Sequence, residues 1–229
     1  MSNKKNKLAK FAEIGTLPNV FQSHDVNSPL LINSNTEKVV MKGNWHSFFG
    51  NNNPITLELA CGKGEYALGL ASMYPERNFI GIDLKGNRLW KGAILSNEAG
   101  MKNVAFVRSQ IDFLTNYFEE NEVAEIWITF ADPQLTKARK RLTSPYFLPR
   151  YKKIMGENGL VHLKTDSPEL YQFTLEMVEE HKLNLQFSAD DIYSLEKQMP
   201  EWEIKTFYEA MHLEKGLKIK YCRFEIGNF

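Results

Sequence analysis

From Ile55 onward, short apolar runs alternate with stretches of helical period. The runs are ITLELA (55–60), NFIGID (78–83), NVAFV (103–107), AEIWITF (124–130) and LVHLKT (160–165). Runs this short and this continuously apolar predict strands buried on both faces. Between them, hydrophobic residues recur at spacings of three and four, which predicts helices over 66–73, 88–99, 112–119, 145–155 and 168–181. Such alternation specifies an α/β fold: a mostly parallel sheet with helices on both faces, because parallel neighbours need crossovers and the crossovers are helical. Past His181 the pattern loosens. Residues 202–210 keep a helical period, and LKIKYCRFEI (217–226) alternates like a late antiparallel strand.

Residues 1–50 read differently. They are polar, hold Pro18 and Pro29, and are rich in Asn and Ser. They are expected to form a partly irregular N-terminal arm ahead of one domain spanning 51–229. The basic start (Lys4, Lys5, Lys7, Lys10) is either a solvated tail or a contact for an anionic partner.

Composition narrows the function. Hydrophobic residues make up 43% of the 229, enough for a sizeable core. Lys plus Arg and Asp plus Glu are equal at 28 each, so a nucleic-acid partner would have to be held by a local basic patch. Cys61 and Cys222 are the only cysteines and form no CxxC or Cys/His spacing, which argues for a reduced cytoplasmic protein without a metal site. MSNKKNKLAK has no apolar segment of a signal peptide, and no run approaches the roughly 18 apolar residues of a membrane span. A monomer and a homodimer both fit.

Candidate chemistry begins at LELACGKGE (57–65), which leaves a strand and enters a helix. Gly62 and Gly64 permit positive φ and close approach of a ligand, but Ala67 stands where a dinucleotide-binding turn has its third glycine. Glu58 is an acid inside an apolar strand and needs a partner there, either a cofactor amino group or a backbone donor. Asp83 ends the next strand, where an acid accepts hydrogen bonds from ribose hydroxyls; the alternative is a cap for the following helix. Glu65 beside Gly64 would repel a pyrophosphate, whereas an acidic surround suits a sulfonium. The loop therefore favours S-adenosylmethionine over a nicotinamide cofactor.

A second group lies at FADP (130–133), which sets Asp132 just past a strand end, as a ligand contact or a plain turn-former. From Pro133 to Gly156 there is no acidic residue, but Lys137, Arg139, Lys140, Arg141, Arg150, Lys152 and Lys153 all occur. Such a local field draws phosphates. Tyr146, Phe147 and Tyr151 lie among these cations at a spacing that favours packing over base stacking. KTD (164–166) brings Asp166 to the same sheet edge, as a ligand contact, a helix cap, or both.

LELACGKGE, FIGIDLKGNRL, FADP with its basic run and RLT, LVHLKTD, and TFYE (206–209) ahead of Gly216 occur in that order. The set resembles the bacterial tRNA (guanine-N7)-methyltransferases over roughly residues 55–225. The resemblance implies a Rossmann-like methyltransferase fold and transfer of a methyl group from S-adenosylmethionine to N7 of a guanine in the tRNA variable loop. It implies cofactor contacts at Glu58, Gly62, Gly64, Asp83, Gln110 and Asp132, with Asp132 also catalytic. It implies substrate contacts at Asp166, Thr206 and Glu209 and at a lysine near Thr136 or Lys137. Arg139 and Arg141 join Lys137 as expected tRNA contacts through the basic field.

The chain departs from the family pattern at four residues and in the length of one segment. Ala60 replaces a usual glycine, Gln110 a usual acid, Ala131 a proline and Gln134 a tryptophan, and the segment after FADP is about two residues shorter. The departures leave open a methyltransferase for another RNA or a small molecule, or a non-catalytic RNA-binding relative.

Overall fold

The structure, a computed structural model, describes residues 6–227 and Phe229. Lys4 and Lys5 of the basic start lie outside the described residues. In chain order the elements are α1 (Lys7–Ile14), β1 (Val20–Gln22), β2 (Leu31–Ile32), β3 (Lys38–Val39), α2 (Trp45–Phe49), β4 (Ile55–Leu59), α3 (Glu65–Met73), β5 (Asn78–Asp83), α4 (Gly86–Glu98), β6 (Val104–Arg108) and α5 (Leu114–Tyr117). They continue with β7 (Val123–Thr129), α6 (Leu148–Met155), β8 (Leu160–Thr165), α7 (Pro168–Glu180), β9 (Asn184–Ala189), α8 (Phe207–Glu214) and β10 (Lys220–Glu225).

All ten strands join one sheet in the order β3-β2-β1-β6-β5-β4-β7-β8-β10-β9. The five strands read from the apolar runs are its parallel centre, with NFIGID and LVHLKT matching β5 and β8 residue for residue. β10 runs antiparallel between β8 and β9, as its alternation predicts. From β4 the chain builds outward through β5 to β6, then returns to the other side of β4 for β7 and β8. The carboxyl ends of β4 and β7 therefore flank the switch point, where open α/β sheets bind ligands. Two apolar layers cover the sheet, one centred on Leu57, Ile126 and Val161, the other on Tyr66, Phe106 and Trp127.

Within the stretch expected as an arm, residues 20–22, 31–32 and 38–39 are strands of this sheet. β1 lies parallel to β6, pairing Val20 with Phe106, and β2 and β3 extend the edge antiparallel. Phe21, Leu31 and Trp45 are buried, and Trp45 Nε1 donates to Tyr117 O at 2.9 Å. Strands of two or three residues are too short to show a two-residue period, so the polar residues around them dominate the pattern. The helix expected over 112–119 shrinks to a 3-10 turn (Ile111–Phe113) and the single turn of α5. That expected over 202–210 splits into a 3-10 turn (Pro200–Glu203) and α8, because Thr206 caps a new helix. β9 carries no apolar run because it is an edge strand with mostly exposed side chains. Among the described residues, no helix is long and apolar enough to cross a membrane.

Candidate active site

The loop leaving β4 is wound by alternate left-handed residues: Ala60 (φ 57°), Gly62 (φ 56°) and Gly64 (φ 69°). The two glycines serve different ends. A Cβ on Gly64 would stand 2.4 Å from Phe106 Cε1, so packing beneath the loop demands glycine there. A Cβ on Gly62 would meet no atom within 4 Å, which leaves its backbone approachable. Ala60 holds the left-handed conformation with a side chain, at one of the positions where the chain departs from the pattern it resembles. Phe130 (φ 49°) does the same at the end of neighbouring β7. Two residues in a left-handed conformation thus line the small cavity at the switch point.

Asp83 ties this loop to the next strand. Gly62 N–H donates to Asp83 Oδ2 at 2.9 Å, and Lys85 N–H donates to Oδ1 at 2.7 Å at the entry to α4. The carboxylate therefore shapes both the loop and the helix start, and each oxygen keeps a lone pair for a further donor. Glu58 finds its partners within the protein: Ala67 N–H and Thr129 Oγ1 each donate to it at 2.8 Å. Burial nevertheless pushes its carboxyl up to about 8, against the pull of those two bonds. Glu65 accepts from Phe207 N–H at 2.9 Å and so holds the start of α8 against the cofactor loop.

A cleft of about 560 Å³ opens beside this loop. Asp83, Ser109 and Gln110 line one wall; Arg139, Lys140 and Tyr146 line the other. Among the described residues, none hydrogen-bonds the Gln110 side chain, so its amide is available to a ligand. Ala60 borders both this cleft and a small cavity of about 60 Å³, onto which Glu58, Gly62, Glu65, Thr206 and Tyr208 converge. Of the residues expected at the cofactor, Glu58, Gly62, Asp83 and Gln110 are thus gathered in two adjoining spaces, whereas Gly64 packs beneath the loop and Asp132 lies outside both. Exposed at the crest of the turn after β7, Asp132 accepts from Gln134 N–H at 3.0 Å, the bond of a turn-former. Its other oxygen is not used by that turn.

The basic run divides. Lys137 is exposed, and Arg139 and Lys140 face the cleft. Arg141 turns inward: its Nε donates to Pro133 O at 3.1 Å and its guanidinium lies 4.6 Å from the Phe173 ring centroid. Arg150 donates to Asp112 O at 3.2 Å. Phe147 and Tyr151 are buried, as packing requires. Tyr146 is only partly covered, with Arg139 at 4.4 Å and Arg150 at 4.2 Å from its ring centroid.

Asp166 lies across the Asp132 turn from the cofactor cleft, 3.5 Å from His212 Nδ1. It does not cap α7, because Ser167 Oγ takes the Leu170 N–H at 3.1 Å. Thr206 is the N-cap of α8, accepting from Glu209 N–H at 3.1 Å. Glu209, expected to meet substrate, is instead fully buried: Lys164 Nζ lies 2.8 Å from Oε1, and Tyr193 OH donates to the same oxygen at 2.7 Å. Burial depresses the Lys164 ammonium while Glu209 opposes the shift. Sequence reasoning missed Lys164, whose only signal was a cation inside the apolar run LVHLKT. Among the described residues, no group of three or more His, Cys, Asp or Glu is placed to hold a metal ion.

A family model described as "Putative methyltransferase" matches residues 52–222. The chain is 49% identical to the tRNA (guanine-N(7)-)-methyltransferase of Bacteroides fragilis over 224 residues, 96% of this chain and 85% of that protein. It is 44% identical to the enzyme of the same name from Christiangramia forsetii over 226 residues, 97% of this chain and 98% of that protein. Among solved structures, the 16S rRNA methyltransferase KamB superposes with a TM-score of 0.64 at 11% identity, over 83% of this chain and 95% of that one, a likeness of fold.

Proposed function

The chain belongs to the tRNA (guanine-N(7)-)-methyltransferase family, and we propose that the cleft at its switch point is where an S-adenosylmethionine methyl group meets N7 of a guanine in the tRNA variable loop. It is an S-adenosylmethionine-dependent tRNA methyltransferase. The observation that carries the site is the bond from Gly62 N–H to Asp83 Oδ2. It fixes a carboxylate with free lone pairs beside an open glycine at the carboxyl edge of the sheet. When bound, S-adenosylmethionine supplies an electrophilic methyl group on a sulfonium.

The residues present fit that cofactor. Asp83 offers acceptors for ribose hydroxyls, Gln110 an unengaged amide for the adenine edge, and Glu58 and Glu65 an acidic flank for a cation. Guanine N7 attacks with a free lone pair, so the site needs no general base, and its task is alignment. Asp132 uses one oxygen to hold its turn and offers the other to guanine N1–H or N2–H₂, offsetting the positive charge that methylation places on the ring. Asp166 acts in the same sense from the far side of the turn. Thr206 offers its hydroxyl at the small cavity. Lys137, Arg139 and Lys140 meet tRNA phosphates, and Arg141 supports the turn that carries them. A tRNA substrate and the absence, among the described residues, of a membrane-crossing helix suit a cytoplasmic enzyme. Incubation with labelled S-adenosylmethionine and unmodified tRNA, followed by nucleoside analysis, should yield 7-methylguanosine. Asp132→Ala should lower kcat by about 100-fold or more; wild-type turnover in that variant would refute its role.

A further inference from the structure

The turn after β7 is a ridge between two clefts. Gln134, Arg139 and Lys140 face the cofactor cleft, whereas Pro133 and Leu135 face a second one of about 490 Å³. The far wall of that cleft is the loop joining α8 to β10, with Leu217, Lys218 and Lys220. Its floor is the β8–α7 turn, with Asp166 and Glu169.

Each wall carries a distinct chemistry. Ile219 is fully buried, whereas Lys218 and Lys220 on either side of it line the cleft. Pairing of Lys220 with Thr165 across β10 and β8 sets this lysine beside the Asp166 turn. Among the described residues, neither lysine has a carboxylate within ion-pair distance. Leu135 and Leu217 are 62% and 43% exposed on opposite walls, an apolar pair at the mouth of an otherwise charged groove. Glu169 is held below the usual carboxylate range by hydrogen bonds from its own N–H and from Ser167, with Arg141 and Lys220 adding to the effect. It stays ionised and can accept.

We infer that this second cleft is a nucleotide subsite for the tRNA residue adjoining the methylated guanine, with Lys218 and Lys220 on its phosphate. The inference rests on the proposed reaction. Cations facing outward suit a phosphodiester, the leucine pair suits the face of a base, and the Glu169 carboxylate on the floor suits base N–H donors. An isolated anion would be repelled by Asp166 and Glu169; a nucleotide presents both kinds of group at once. Continuity gives the direction of the strand: the same turn, with Asp132 at its crest, forms one wall of each cleft. A strand crossing it places one nucleotide toward the cofactor and its neighbour in the groove.

The test is a Lys218→Ala/Lys220→Ala double variant, assayed with unmodified tRNA over a range of salt. Each single-strand phosphate neutralised contributes about 0.7 to the slope of log affinity against log salt, so losing this one should lower the slope by about 0.7. KM for tRNA near physiological salt should rise about tenfold, while calorimetric affinity for S-adenosylmethionine and Tm stay at wild-type values. A wild-type salt slope and KM in the double variant would overturn the subsite. A Leu217→Asp variant provides a second reading through the base: unchanged KM there would equally count against it. Failure of the proposed reaction would look different, since the wild-type enzyme would then give no 7-methylguanosine.

Discussion

Ala60→Gly tests whether the cofactor loop is strained in the way its dihedrals imply. Ala60 sits at φ 57° directly after β4, in a region that costs a residue with a Cβ about 1–2 kcal/mol. Glycine removes that cost but gives the unfolded chain more freedom, worth about 0.5–1 kcal/mol in the other direction. The difference favours glycine by about 0.5–1 kcal/mol. For a chain of this size, 1 kcal/mol moves Tm by about 2–4 °C, so the variant should melt about 1–4 °C higher. The loop's shape is already left-handed at this position, so the bonds from Gly62 to Asp83 and from Gly64 to Cys61 O survive the change. Affinity for S-adenosylmethionine should then stay within about threefold of wild type. Differential scanning calorimetry and isothermal titration measure the two quantities. A fall in Tm of 2 °C or more would show that the methyl group contributes packing that outweighs the strain, and the reasoning would fail. A tenfold loss of affinity would show that the Ala60 methyl group itself contacts the cofactor.

Gly62→Ala and Gly64→Ala should part company: the second forces a Cβ to 2.4 Å from Phe106 Cε1 and should destabilise the fold by several kcal/mol in urea, whereas the first should mainly weaken S-adenosylmethionine binding. Equal stability losses in the two would contradict the division of labour between these glycines. Glu209→Gln leaves the Lys164 ammonium buried without its counter-charge and should cost about 3–5 kcal/mol of stability; lost tRNA affinity in a variant of unchanged stability would return Glu209 to the substrate. Glu58, with its carboxyl pushed up to about 8, is largely protonated in the free protein near pH 7. A cationic ligand nearby favours the charged form and lowers that value, so binding should release a proton and affinity should rise with pH between about 6.5 and 8. Calorimetry in buffers of different ionisation enthalpy reads the proton directly, and Glu58→Gln should abolish it. The same raised carboxyl makes folding bind more protons than unfolding does between the ordinary value and about 8. Its share of the stability is therefore lost as pH rises through that window.

How much of this was legible depended on whether the determinant was local. The parallel strands announced themselves because burial on both faces leaves continuous apolar runs, and Asp83 because a strand end and a glycine loop occur in a fixed order. β1 to β3 were hidden because two or three residues cannot carry a period; their burial depends on Trp45 and β6, far along the chain. Asp132 showed its position at the sheet edge, but whether a turn points its carboxylate into the cleft or across its crest is set by the bond to Gln134 N–H. Thr206 and Glu209 are the instructive pair. T-x-x-E is a helix-start signature in which the glutamate folds back onto the cap. Thr206 does its half, accepting from Glu209 N–H. The glutamate side chain leaves the helix and goes to Lys164, 45 residues earlier in the chain. The motif here therefore carries a helix cap and one half of a buried ion pair. Here the same four residues cap α8, clamp it to β8 through the buried pair, and clamp it to the cofactor loop through Glu65. Loosening this clamp is expected to disturb both cavities that meet at Ala60, although Lys164 and Glu209 are themselves fully buried.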